Sequence, residues 1–145
     1  MQTFLPHADF YKTASVLDWR RLGKQRIEAK QILLTIEKGE EAGGWRNHPA
    51  VNMWRGYENA LAVYGITICL EWIERGYNDN QLEWFRNKVI SYDNNDTPPW
   101  LGNKDFHLSH RSNLLRKDLD HYSQFWPDVP DNLEYVWPSK EPSLA

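Results

Sequence analysis

DWRRLGKQRIEAKQILLTIEKG, residues 18–39, decides the fold. Asp18 is a good N-cap, and Gly39 stands where a helix needs a residue free to turn left-handed. Between them Leu22, Ala29, Leu33 and Ile36 recur at helical spacing. Arg20, Arg21, Lys24, Arg26 and Lys30 fall on the other face, and Gly23 weakens the helix mildly. The stretch therefore predicts an amphipathic helix over Trp19–Lys38, which must bury its apolar side against other elements.

The flanks extend the same pattern. Residues 1–8 form a short apolar arm, and Asp9 caps a first short helix to Val16. Gly43 to His48 reads as a turn. Pro49 suits the first position of a long helix, capped by Asn47 or His48 and running to about Arg75 before Gly76. Val51, Trp54, Leu61, Ile68 and Trp72 make its buried stripe. Glu58 falls on that stripe, where a carboxylate needs a partner or an edge. Asp79 or Asn80 caps a helix to about Ile90, with Leu82, Phe85 and Val89 inward. Tyr92 to Asn103 reads as a surface loop. Ser109 opens a last helix to about Phe125, with Leu115, Leu119 and Tyr122 on its inner side, and Pro127 ends it. No alternating strand pattern and no repeat occurs. The expectation is an all-α fold: one compact domain of four to five helices over residues 1–127, followed by an extended proline-rich tail over 128–145.

Composition narrows the class. The chain has 145 residues, enough for one domain with its own core. Its 17 Lys and Arg against 20 Asp and Glu give a net charge of −3, which argues against coating nucleic acid by bulk charge. Aromatic residues make up 14% of the chain, far too many for a disordered segment. The longest uncharged stretch, Asn59 to Leu70, is too short to span a bilayer. Met1 to His7 has no signal-peptide character. The single Cys69 leaves no internal disulfide and no cysteine zinc cage, and it reads as core. The expectation is a soluble, cytoplasmic monomer with no membrane partner.

Charge sorted by segment changes the picture. Trp19 to Lys30 carries five cations against Glu28, a local +4; Asn103 to Lys117 carries four against Asp105, a local +3. Such runs are either solvated helix faces or phosphate-contact surfaces. Glu28 is either a surface partner of Lys24 at i,i+4 or a catalytic carboxylate kept ionised by its neighbours. Gly44-Trp45-Arg46-Asn47-His48-Pro49 puts polar side chains at a helix start, an anion site or simply a cap with a Trp anchor. His107 with His110, and Asp118 with His121, have helical pair spacing but no third ligand at metal spacing, so no metal or other cofactor is expected. No P-loop, dinucleotide fingerprint or nucleophile elbow occurs.

Taken together, Leu17-Asp18, Gly23-Lys24-Gln25-Arg26-Ile27-Glu28-Ala29, the Gly44 to Pro49 turn and Trp72-Ile73-Glu74-Arg75-Gly76-Tyr77 resemble the pyrimidine-dimer DNA glycosylase family of the phage endonuclease V type. The resemblance runs to about residue 126 in element order. It implies an all-helical, metal-free enzyme that couples N-glycosylase and AP-lyase activities. It implies attack on the sugar C1′ by an N-terminal α-amine, here that of Met1, with Glu28 as acid/base and electrostatic stabiliser. An α-amine ordinarily titrates at about 7.7–8.0, so part of it is neutral and nucleophilic at physiological pH. The sequence departs from the family at Gln2, large for a position exposed by methionine removal, at Ile27, and in an insertion over His7–Val16.

The leading expectation is thus a repair-type DNA glycosylase/AP lyase. It acts through Met1 and Glu28 on double-stranded DNA carrying a damaged or modified pyrimidine. Arg20, Arg21, Lys24, Arg26, Arg46, Asn47, His48, Arg111 and Lys117 would line the DNA face. A second reading is a non-catalytic DNA-binding module on the same scaffold, favoured by Gln2 and Ile27. A third is a protein-interaction domain anchored by its many Trp residues.

Overall fold

The computed structural model describes residues 1–93 and 96–138. Among them every regular element is helical, in an all-α arrangement. In chain order these are α1 (Phe10–Val16), α2 (Trp19–Lys38), a 3₁₀ segment (Gly39–Asn47), α3 (Pro49–Trp54), α4 (Glu58–Glu74), α5 (Leu82–Ser91), α6 (Lys104–Lys117) and α7 (Leu119–Tyr122).

The starts of α1 and α2 are chemically marked. Asp9 accepts the Lys12 N–H at 2.9 Å and Asp18 the Arg21 N–H at 3.4 Å, and Gly39 ends α2 at φ +56°. α2 and α4 form the centre. Leu22, Ala29, Ile32 and Leu33 bury against Leu61, Ala62, Tyr64 and Ile68, with α1 and α5 packed on α4. Gly23 is more than a weak point. A Cβ there would lie 2.8 Å from the Trp72 ring, so the glycine permits the close approach of α2 to α4. Gly65 does the same for α5, where a Cβ would meet Phe85 at 2.3 Å.

Several expected boundaries move. The long helix from Pro49 is two helices, because Gly56 turns the chain at φ +93°. Glu58 therefore lies in the first turn of α4 rather than mid-stripe, and its carboxylate accepts the Gly56 N–H at 3.0 Å. His48 rather than Asn47 caps α3, and the expected Gly43–His48 turn lies in the 3₁₀ segment with a kink at Gly43. Asp79 accepts amides from Gln81 and Leu82 at the start of α5. The last helix opens at Lys104, capped by Asn103, and breaks at Asp118. Leu119 is exposed rather than inward. Trp72 is only half-buried, stacked on Tyr77 at 4.2 Å. Within the expected surface loop, Trp100 is buried edge-on against Trp54 and donates its indole N–H to Met53 O.

Beyond α7 the chain doubles back along α6. Ser112 and Ser109 hydroxyls accept the Leu133 and Val136 amides, and Arg116 donates to the Asp131 and Leu133 carbonyls. Residues 128–138 thus form a strap without regular structure; the rest of the tail, 139–145, lies outside the described residues.

Candidate active site

The site begins with the arm. Residues 3–6 are buried and in no helix, so their peptide groups need partners from elsewhere. Side chains supply them. Phe4 N–H donates to Gln25 Oε1 at 3.0 Å, and Tyr64 O–H donates to Phe4 O at 2.8 Å. Leu5 N–H donates to His110 Nδ1 at 2.9 Å, and His107 Nδ1 bonds Leu5 O at 2.7 Å. Arg111 donates to Pro6 O at 2.7 Å. Trp54 donates its indole N–H to Thr3 Oγ1 at 2.9 Å. The arm is threaded through the core and held peptide by peptide, which fixes where the amino terminus emerges.

It emerges beside Glu28. Glu28 Oε2 accepts the Gln2 amide and the Gln25 side-chain amide, both at 3.2 Å, and Gln25 also donates to Gln2 O at 2.9 Å. Oε1 stands 3.9 Å from Lys24 Nζ. The Glu28 side chain is 15% exposed and that of Lys24 73%, so the carboxylate is set into the surface while the ammonium remains free to move.

Met1 and Glu28 open into a cleft of about 1070 Å³, whose walls include Arg20, Arg21, Lys24, His48, Lys117 and Trp137. A second cleft of about 440 Å³, with Trp45, Gln31 and Lys38 in its wall, meets the first at Met1 and Glu28. Asp18 anchors the floor. It accepts hydrogen bonds from Tyr122 O–H and Arg21. Burial pushes its carboxyl upward, but those donors outweigh burial and hold it below the usual range. His48 is depressed by burial and, second, by the positive Met1 amine.

The cleft gathers Met1, Glu28, Arg20, Arg21, Lys24, His48 and Lys117 from the residues expected in the sequence. It does not gather the rest. Arg26 turns inward, bonded to Asp79 at 2.5 Å and lying over the Trp72 ring. Arg46 stands 3.9 Å from Glu40. Asn47 is exposed, its carbonyl bound by Asn52. Arg111 is committed to the arm. His107 and His110 are arm-holding residues too. Both His107 nitrogens are engaged, Nε2 accepting the Gly102 N–H at 2.9 Å.

Among the cleft residues that sequence reasoning does not place at the site are Trp19, His121, Tyr135 and Trp137. Trp19 is 54% exposed with Arg20 over its ring, and its place in the basic run was a usable signal. Tyr135 and Trp137 arrive by the strap and His121 from α7, for which no local pattern gives notice. Trp45 is exposed as expected of a turn Trp, whereas Trp100 and Trp126 are core.

The fold and site define the class: a small helical protein whose cleft holds the chain's amino terminus and a set-in carboxylate among basic side chains. The chain belongs to the pyrimidine dimer DNA glycosylase family, whose profile matches residues 1–84, more than half its length. That span contains the arm, Glu28 and His48, while Lys117 and the strap lie beyond it. No curated protein and no solved structure matches the chain. Membership makes DNA the substrate and DNA glycosylase the general activity. No helix of the described residues is long and apolar enough to cross a membrane.

Proposed function

We propose that this protein is a DNA glycosylase with AP-lyase activity that removes a damaged or modified pyrimidine through an imine on its amino terminus. One observation carries the reading: the α-amine and Glu28 share a cleft with exposed cations, and the arm behind the amine is pinned at successive peptides. Pinning matters because a nucleophile held near its target needs little further ordering.

The neutral Met1 nitrogen attacks C1′ and forms the new C–N bond. The bond from C1′ to the base breaks, its electron pair leaving with the base. The nitrogen loses a proton and the ring oxygen leaves C1′, giving the imine. Loss of a 2′ proton then expels the 3′-phosphate. Glu28 is suited to stabilise the cationic sugar and imine, and to carry protons between these steps, because its Oε1 faces the cleft side occupied by Lys24. Arg20, Lys24 and Lys117 are the exposed cations available to flanking phosphates.

Borohydride trapping on abasic duplex DNA tests the imine. A covalent adduct with a native amino terminus is expected; its absence, with salt-sensitive binding retained, would instead leave a non-catalytic DNA-binding module. Glu28→Gln is expected to bind DNA nearly as well while losing cleavage by a factor on the order of 10² or more. Cleavage at the wild-type rate would remove Glu28 from the mechanism.

A further inference from the structure

His48 caps α3 with its own ring. Nδ1 accepts the amide N–H of Ala50 at 3.0 Å. A neutral imidazole that accepts at Nδ1 carries its proton on Nε2. Charging the ring would put a second N–H at Nδ1, facing the Ala50 N–H, and break the cap. Burial and the nearby Met1 amine also disfavour the charged ring. The ring is flanked by Trp45, 5.8 Å away, and by Trp137, 6.4 Å away edge to face. None of the described residues takes the Nε2–H. His48 and Met1 line the same cleft, so the ring brings a neutral N–H donor to the wall that the amine shares.

We propose that His48 is a catalytic residue of the glycosylase step. Its Nε2–H donates a hydrogen bond to an oxygen of the reacting nucleotide that gains negative charge as the bond from C1′ to the base breaks. The ring keeps its proton throughout. The proposal rests on the glycosylase reading above. It also separates His48 from the phosphate contacts among which its sequence position puts it. A neutral donor adds little to the long-range attraction of a polyanion, but its bond strengthens as charge develops on the acceptor.

Two substitutions divide the ring. In His48→Asn the side-chain oxygen replaces Nδ1 as cap acceptor but no donor reaches the place of Nε2. In His48→Gln an amide N–H reaches that place and the cap is lost. Adduct formation is followed in single turnover on two duplexes, one abasic and one carrying a pyrimidine dimer, beside DNA affinity and the urea midpoint. The Asn variant is expected to keep its fold and its abasic rate within about threefold. On the dimer duplex it slows by a factor on the order of 10². The Gln variant is less stable but recovers the dimer rate to within about tenfold.

Equal slowing on both duplexes would show a structural role and overturn the proposal. So would an Asn variant as fast as wild type on the dimer duplex. A wild-type protein that traps abasic DNA but forms no adduct on the dimer duplex overturns the assignment for His48 and leaves the lyase chemistry standing. One that traps neither overturns the reading beneath it as well.

Discussion

The two basic stretches, Trp19–Lys30 on α2 and Asn103–Lys117 on α6, have similar local charge and opposite uses. On α2 the cations divide by face. Arg20, Arg21 and Lys24 reach the cleft, while Arg26 goes to Asp79 and Lys30 lies over Trp84. On α6 the guanidinium groups serve the chain itself: Arg111 holds the Pro6 carbonyl and Arg116 holds the strap, leaving Lys117 in the cleft. An arginine bound to a carbonyl keeps its charge at long range, but the N–H groups that would grip a phosphate are already used. Counting charges locates a basic region; only the fate of each donor locates a binding face.

The largest test of this division is Arg26→Ala. The Asp79 side chain is 1% exposed, and its carboxyl is held below the usual range against burial by Arg26 and by the amides at the start of α5. Removing one partner of a buried pair costs about 3–5 kcal/mol. Urea unfolding should show that loss, while Lys24→Ala on the same helix should stay within about 0.5 kcal/mol of wild type. A cost below about 1 kcal/mol for Arg26→Ala would return Arg26 to the surface cations. Next comes Arg111→Ala, which deletes a charged donor to a buried carbonyl and should cost about 1.5–3 kcal/mol. Its salt dependence of DNA binding should stay at the wild-type slope. A slope reduced by one contact would make Arg111 part of the DNA face.

The same contrast explains what the sequence makes legible. α1 and α2 obey surface rules: an aspartate cap, apolar residues on one face, cations on the other. α6 breaks them. His107, Ser109, His110, Ser112 and Asn113 are buried polar residues bonded to the arm, the strap or α6's own backbone, and they interrupt the hydrophobic period that Phe106, Leu114 and Leu115 would otherwise mark. Spacing alone accordingly puts the start of α6 at Ser109, more than a turn after its actual start at Lys104. The break at Gly56 is equally silent, because apolar spacing continues across it. At the site, Glu28 stands out as a lone carboxylate among cations, yet only the family resemblance links it to Met1. An irregular arm gives no spacing that could bring residue 1 to residue 28.

A smaller effect tests the α6 side at its histidines. Burial, with His107 second, lowers His110 to about 3, against an ordinary value of 6.5. The unfolded chain therefore binds a proton that the folded chain refuses. The stability from neutral His110 is whole above the unfolded value and is lost as pH falls below it. Between pH 6.5 and 5.5 the loss should be about 1 kcal/mol. His110→Asn, whose side-chain oxygen can still accept the Leu5 N–H, should remove that part of the pH dependence. An unchanged slope in the variant would place the titration elsewhere.

The finest test lies where the two stretches meet. Lys24 comes from α2 and Lys117 from the end of α6, and both line the cleft. If one duplex occupies the cleft, each ammonium releases about one counterion's worth of salt dependence on binding. Lys24→Ala and Lys117→Ala should each lower the magnitude of the slope of log affinity against log salt by about 1, with stability unchanged. The double variant should lower it by about 2, because separate phosphate contacts add. Equal singles with an additive double would show that the stretches, so unlike in their arginines, converge on one polyanion through their lysines. A slope that moves for Lys24 alone would confine DNA to the α2 side. Lys117 would then join Arg111 and Arg116 as a residue whose charge faces the protein rather than the substrate.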